Sequence, residues 1–229
     1  MGFEALSNCL FLTTKENIIF NMPNIIVTGA THGIGKEIVS LFYSKGYDVA
    51  FCARNKDDLQ SLAKELSQSD AKGTIFYESR DLSIKKEVLD FANSVIEEFD
   101  TIDILVNNAG IFYPGSIEKE EDGALEYMIN TNLLSAYHLT RTLLPRIHNS
   151  KKGHIFNMCS TASKMAYANG GSYGITKHAL LGFSKVLRAE LKEAGVKVSS
   201  VLPGPTYSRS WEGSEIGRAS CRERVSFTV

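Results

Sequence analysis

The sequence lacks any run approaching the roughly 18 uninterrupted apolar residues of a membrane helix, so no spanning segment is expected. It also lacks an excess of either charge: 25 Lys and Arg stand against 26 Asp and Glu in 229 residues, a net charge of -1. That balance provides no global field to gather nucleic acid or an anionic membrane, which excludes a basic nucleic-acid binder. Cysteine is sparse. Cys9, Cys52, Cys159 and Cys221 lie far apart, without the C-x-x-C pairs of zinc sites or the density of a secreted disulfide scaffold, and a reducing, cytoplasmic location is the expectation. His138, His148, His154 and His178 pair with no acid or Cys at ligand spacing, so no metal is assigned. No Gly-x-Ser-x-Gly elbow surrounds Ser160, and the hydrolase reading falls away.

What is present is a regular alternation. Apolar residues make up 43% of the chain, enough to fill one sizeable core. Asn24 to Thr28 reads as a strand buried on both faces, followed by a helix whose apolar positions Ile34, Ile38, Leu41 and Phe42 end at Lys45-Gly46. Further strands are expected at Asp48–Ala53, Thr74–Tyr77, Ile102–Val106, His154–Met158 and Val196–Leu202. The intervening helices fall at Asp57–Ser67, Lys85–Phe99, Leu125 to about Ile147, and Ser172–Glu193. Such β-α alternation predicts a doubly wound parallel sheet of Rossmann type in three α/β/α layers, with ligands at the carboxyl ends of the strands.

The two ends read differently from the middle. Residues 1–21 have no positive n-region, and Cys9 to Leu12 is too short for a signal h-region; Met22 stands directly before the first strand and reads as the true start. Near the other end, EIGRASCRERV at 215–225 resembles a translated sequencing-adapter strand. Residues 215–229 are therefore expected to be a non-native tail, and 22–214 one nucleotide-binding catalytic domain incomplete at its C-terminus. On that reading a seventh strand is missing and the sheet edge lies open.

The first strand runs into Thr28-Gly29-Ala30-Thr31-His32-Gly33-Ile34-Gly35, where glycines let backbone amides and a helix N-terminus approach a pyrophosphate. At the end of the second strand, an acid would favour the ribose 2′-hydroxyl of NAD and an Arg the 2′-phosphate of NADP. Cys52-Ala53-Arg54 carries Arg, so NADP(H) is the expected cofactor, with His32 as a further candidate donor.

Tyr173 and Lys177 stand four residues apart on one helical face. Alone the pair is a weak signal; requiring Ser160 and Asn132 at their spacings lowers the chance expectation to roughly a few per thousand. Reducing a carbonyl by hydride leaves an alkoxide that needs a proton, and a phenol with a pKa of about 10 must be tuned to serve at neutral pH. One ammonium about 4 Å away, at an effective dielectric of about 20, supplies the roughly 4 kcal/mol that three units require.

With the glycine turn, Asn107-Asn108-Ala109-Gly110, Asn132, Ser160, Tyr173 and Lys177, the chain resembles the single-domain short-chain dehydrogenase/reductase family from about Asn24 to Trp211. The resemblance implies that Tyr173 is the general acid/base, that Ser160 positions the substrate oxygen, and that Lys177 holds the nicotinamide ribose and lowers the phenol pKa. Asn132 would anchor a proton-relay water. It further implies that Asp81 contacts the adenine, that Leu82 is among the cofactor-binding residues, that Asn107 to Gly110 line the cofactor cleft, and that Pro203-Gly204 with Thr206 or Ser208 flanks the nicotinamide. The predicted activity is interconversion of a carbonyl and a secondary alcohol. The competing reading is a noncatalytic NADP(H) sensor, in which the Asn132, Ser160, Tyr173 and Lys177 set has no reason to persist. Phe112, Tyr113, Met165, Tyr167 and Trp211 predict a medium-sized, partly apolar substrate, and a homo-oligomer is expected from the family's use of the two long helices.

Overall fold

The computed structural model describes residues 22–204 and 226–228. The readings made for residues 1–21, for Thr206, Ser208 and Trp211, and for the adapter-like string lie outside the described residues.

β-branched, apolar strands alternate with amphipathic helices in the expected sequence. They run β1 (Asn24–Thr28), α1 (Gly33–Ser44), β2 (Asp48–Ala53), α2 (Lys56–Ser67), β3 (Ile75–Ser79), α3 (Lys85–Glu98) and β4 (Ile104–Asn107). After these come α4 (Ala124–Ile129), α5 (Ser135–His148), β5 (His154–Met158), α6 (Gly171–Leu191) and β6 (Lys197–Leu202). The six strands lie in the order β3-β2-β1-β4-β5-β6 and are all parallel. A further strand, β7 (Ser226–Thr228), pairs antiparallel with β6, Val201 opposite Phe227, so the edge expected to lie open is covered along Ser200–Leu202. The winding reverses between β1 and β4, the place where such sheets open a crevice.

Side-chain alternation along β1 explains the three layers. Ile25 and Val27 pack with Val39 and Tyr43 of α1 and Leu59 and Leu66 of α2, whereas Ile26 packs on the other face with Phe91 of α3, Leu143 of α5 and Leu187 of α6. With both faces covered, the central strands are apolar throughout rather than alternating with polar residues. Each large side chain buried here contributes about 1.5–3 kcal/mol relative to exposure.

One predicted element is divided. The periodicity predicts an unbroken helix from Leu125 to about Ile147, but Asn130–Leu134 forms a wide π turn between α4 and α5, with the Ser135 N–H bonded back to the Asn130 carbonyl. The wider turn faces Thr131 and Asn132 inward, where both are buried. Asn132 repays the irregularity locally. Its Oδ1 accepts from the Ile111 N–H at 2.7 Å, and its Nδ2 donates to the Ile111 carbonyl and to Thr176 Oγ1, each at 3.0 Å.

Phe91 is fully buried between α3 and the sheet. Phe91→Ala is expected to cost about 3–5 kcal/mol, read as a lower urea midpoint at unchanged slope.

Candidate functional site

The crevice is built where β1 and β4 end. Thr28 Oγ1 accepts from the N–H groups of Asn108 and Ala109 at 3.0 and 2.9 Å, and Asn108 Nδ2 donates to the carbonyls of Thr28 and Gly29, both at 2.9 Å. The turn into α1 then needs left-handed backbone at Gly29 (φ 64°) and Gly33 (φ 52°). A Cβ at Gly29 would stand 2.9 Å from Ala109 Cα, and one at Gly35 would collide with the Gly29 carbonyl and the Asn108 side chain. Glycine is what permits the two strand ends to approach.

A cleft of about 560 Å³ follows, lined by Gly29, Thr31, His32, Gly33, Ile34 and Gly35 of the turn and by Arg54, Asp81, Leu82, Ala109 and Gly110. The sequence reading brought all of these to one place. It missed Asn55, Asp58, Arg80, Tyr127 and Thr131, which share the wall. Asn55 caps α2 by accepting from the Asp57 and Asp58 N–H groups at 2.9 and 3.2 Å, which fixes the turn that carries Arg54. Asn-x-x-Asp right after Arg54 was a legible cap signal. Arg54 Nη1 donates to the Tyr127 hydroxyl at 2.9 Å, a pairing across 73 positions with no local signature. Arg80 is engaged with Glu78 at 2.9 Å. His32 lies 3.0 Å from Thr31 Oγ1 through Nδ1 and 3.6 Å from Asp58 through Nε2. Asp81 accepts from the N–H and hydroxyl of Ser83, which pins the loop after β3.

Asn107 departs from the expectation. Its side chain turns beneath the sheet, where Nδ2 donates to Thr140 Oγ1 at 2.9 Å and to Asn157 Oδ1 at 2.8 Å. The strand period of two explains this: Asn108 faces the cleft, so its neighbour faces the core.

At the Gly110 end, a methyl group on that glycine would sit 3.3 Å from Asn132 Oδ1 and 3.4 Å from Lys177 Nζ. Lys177 is buried, and Nζ donates to the Met158 carbonyl at 2.8 Å, which ties α6 to the end of β5. Tyr173, one turn earlier, has Ser160 beside its hydroxyl, and its ring packs edge-on against Phe112 at 4.8 Å. Ser160 caps a single 3-10 turn, its Oγ accepting from the Ala162 N–H and its own N–H donating to Ser163 Oγ. Pro203 joins the group through its carbonyl, which accepts from Thr161 N–H at 3.2 Å; Gly204 is the last described residue of that strand exit. Asn132, Ser160, Tyr173 and Lys177 thus converge, although both amide hydrogens of Asn132 are committed to Ile111 and Thr176.

The electrostatics correct one expectation. Burial pushes the Tyr173 phenol above its ordinary value, the neighbouring Ser160 works against the rise, and Lys177 is not what sets the direction. The lysine itself is stripped of water, which lowers its pKa to about 8, and its Nζ stands 5.7 Å from the centre of the Tyr173 ring. Desolvation of both groups outweighs their attraction at that separation. Burial also raises the thiols of Cys52 and Cys159, so neither is an activated nucleophile. Among the described residues no three His, Cys, Asp or Glu side chains cluster as metal ligands would, and no helix is long and apolar enough to cross a membrane.

A family model described as short chain dehydrogenase matches residues 23–217. Dehydrogenase/reductase SDR family member 7B of Xenopus tropicalis is 33% identical over 184 residues, which cover 79% of this chain and only 60% of that relative's length. NADP-dependent 3-hydroxy acid dehydrogenase YdfG of Shigella flexneri is 35% identical over 183 residues, 79% of this chain and 71% of the relative. A short-chain dehydrogenase from Sphingobium yanoikuyae, solved in complex with NADPH, superposes with a TM-score of 0.79 at 28% identity, covering 88% of this chain and 78% of the other.

Lys177 provides a pH test. With its pKa near 8 folded and near 10.5 unfolded, the unfolded chain holds the extra proton between those values, so this group's contribution to stability rises with pH there. The burial cost at pH 7, on the order of 3 kcal/mol, fades as pH climbs past 8. The stability advantage of Lys177→Met over the parent is therefore expected to shrink by roughly 2 kcal/mol between pH 7 and 10 in urea titrations; a constant gap would contradict the burial of a charged ammonium.

Proposed function

The chain belongs to the short-chain dehydrogenase family, and from that membership we propose an NADP(H)-dependent oxidoreductase that interconverts a carbonyl and a secondary alcohol. The observation that carries the proposal is the convergence of Tyr173, Ser160 and, one helical turn on, buried Lys177 at the Gly110 end of a glycine-walled cleft.

The cleft has the shape such a cofactor needs. Its wall is bare backbone at Gly29 and Gly35, where a Cβ would find no room, and the start of α1 supplies N–H groups suited to a pyrophosphate. Arg54 and Arg80 stand at one end, where a 2′-phosphate favours guanidinium forks. The Shigella relative is named as NADP-dependent and the Sphingobium neighbour was solved with NADPH, which supports the same choice. When bound, the nicotinamide supplies a hydride to the carbonyl carbon.

The remaining chemistry falls to the chain's own residues. Negative charge developing on the substrate oxygen needs a proton, and the Tyr173 Oη carries one, held there by burial. Ser160 stands beside the same hydroxyl, so an oxygen that accepts from one of them lies within reach of the other. Lys177 spends one of its three N–H donors on Met158 and keeps the others for the ribose hydroxyls at the Gly110 lip. Its positive charge also favours the phenolate left after proton transfer. Asn132 braces this wall through Ile111 and Thr176, and a water would be anchored by its main chain rather than by its amide hydrogens. Beside Tyr173, Phe112 with exposed Tyr113, Met165 and Tyr167 suits a medium-sized, partly apolar carbonyl.

NADPH oxidation across a panel of ketones, aldehydes and oxo acids tests the reading directly. Tyr173→Phe is expected to lower turnover at least about 100-fold while NADPH still binds; undiminished turnover would reject Tyr173 as the acid. Arg54→Asp is expected to weaken NADPH binding about 10- to 100-fold and to leave NADH binding equal or stronger, measured by fluorescence titration. An unchanged cofactor preference would remove Arg54 from phosphate recognition.

A further inference from the structure

Tyr173 and Lys177 occupy the first two turns of α6, so the orientation of the helix start governs where both side chains point. That start is gripped from outside the helix. Glu120, 52 positions earlier in the chain, accepts through Oε1 from the Ser172 N–H at 2.7 Å and through Oε2 from the Ser172 hydroxyl. Ser172 is only 2% exposed, and Tyr173 follows it directly.

The surroundings are shaped to admit this grip. Gly171 is left-handed (φ 37°), and a Cβ there would lie inside the Glu120 carboxylate and 2.6 Å from the Gly115 carbonyl. Gly115 donates to the Asn169 carbonyl at 3.1 Å, and Asn169 takes the left-handed region (φ 61°) at the close of the preceding loop. Two unusual backbone positions thus bring residues 169–172 against the segment that carries Glu120. That same segment begins with Phe112, whose ring meets Tyr173. A carboxylate at a helix start also satisfies N–H groups that have no partner within the helix and suits the positive end of the helix dipole.

We propose that Glu120 is a positioning residue for the reaction: it latches the first turn of α6 and thereby fixes the placement of Tyr173 relative to Ser160. The proposal rests on the reading of Tyr173 as the proton donor. Glu120 itself bonds the helix backbone and Ser172, and it is assigned no contact with substrate or cofactor.

The test compares the full chain with Glu120→Ala, Glu120→Gln and Ser172→Ala. Displacement of a reacting group by about 1 Å can cost about 100-fold, so Glu120→Ala is expected to lower kcat about 10- to 100-fold while the Kd for NADPH stays within about twofold. Glu120→Gln keeps an acceptor and an adaptable amide and is expected to retain kcat within about threefold of the parent. Amide hydrogen exchange at residues 172–177 is expected to quicken at least about tenfold in Glu120→Ala, with exchange in β1 and β4 unchanged. Unchanged exchange in that turn, or a kcat within about twofold of the parent, overturns the latch, as does a Glu120→Gln variant as impaired as the alanine variant. Should Glu120→Ala not fold, Ser172→Ala decides: faster exchange in the same turn with a several-fold lower kcat supports the latch, and parental values of either overturn it. The exchange measurement needs no substrate. A parent without turnover on any carbonyl therefore rejects the proposed reaction, while exchange separately reports on the latch.

Discussion

The close approach of two neighbouring strand ends governs this molecule. Where winding reverses between β1 and β4, the chain leaves the sheet toward opposite faces, and the gap must be bridged without filling it. The Asn108 amide spans it by donating to two carbonyls, Thr28 receives two N–H groups in return, and the absence of side chains at Gly29 and Gly35 allows the distance. These bonds satisfy main-chain groups of both strand ends, as buried backbone requires. The glycine turn, the start of α1 and the Gly110 lip all take their positions from that seam.

A second organising element is the stretch after β4. Its consecutive residues serve different walls: Ile111 is braced by Asn132, Phe112 meets Tyr173, and Tyr113 stacks on Tyr127 at 6.3 Å, the residue that holds Arg54. Some positions later Glu120 reaches the start of α6. One short strap therefore touches the arginine end of the cleft and the phenol end alike.

Much of this was legible in the chain. Apolar β-branched runs fixed the strands, because a sheet covered on both faces tolerates little else, and the glycine turn was readable because positive φ and close approach both call for glycine. Helical spacing put Tyr173 and Lys177 on one face. Other features had no local trace. Arg54 and Tyr127, or Glu120 and Ser172, are partners only in the folded chain. Asn107 and Asn108 are identical in chemistry, and only strand phase separates the core-facing one from the other. The direction of the Tyr173 pKa was misjudged for a related reason: sequence spacing reports that a cation is near, but not that both groups have lost their water.

The π turn at Asn130–Leu134 has a geometric meaning of its own. A helix advances about 100° per residue, so one residue accommodated in a widened turn rotates everything beyond it by that angle. α4 and α5 can then behave as a single rod whose two halves are clocked differently, the first half addressing the strap and the second the sheet. Excision of one residue from this turn would rotate α5 back by that angle and carry Thr131 and Asn132 out of their buried places, so a more regular junction is one the crevice does not tolerate.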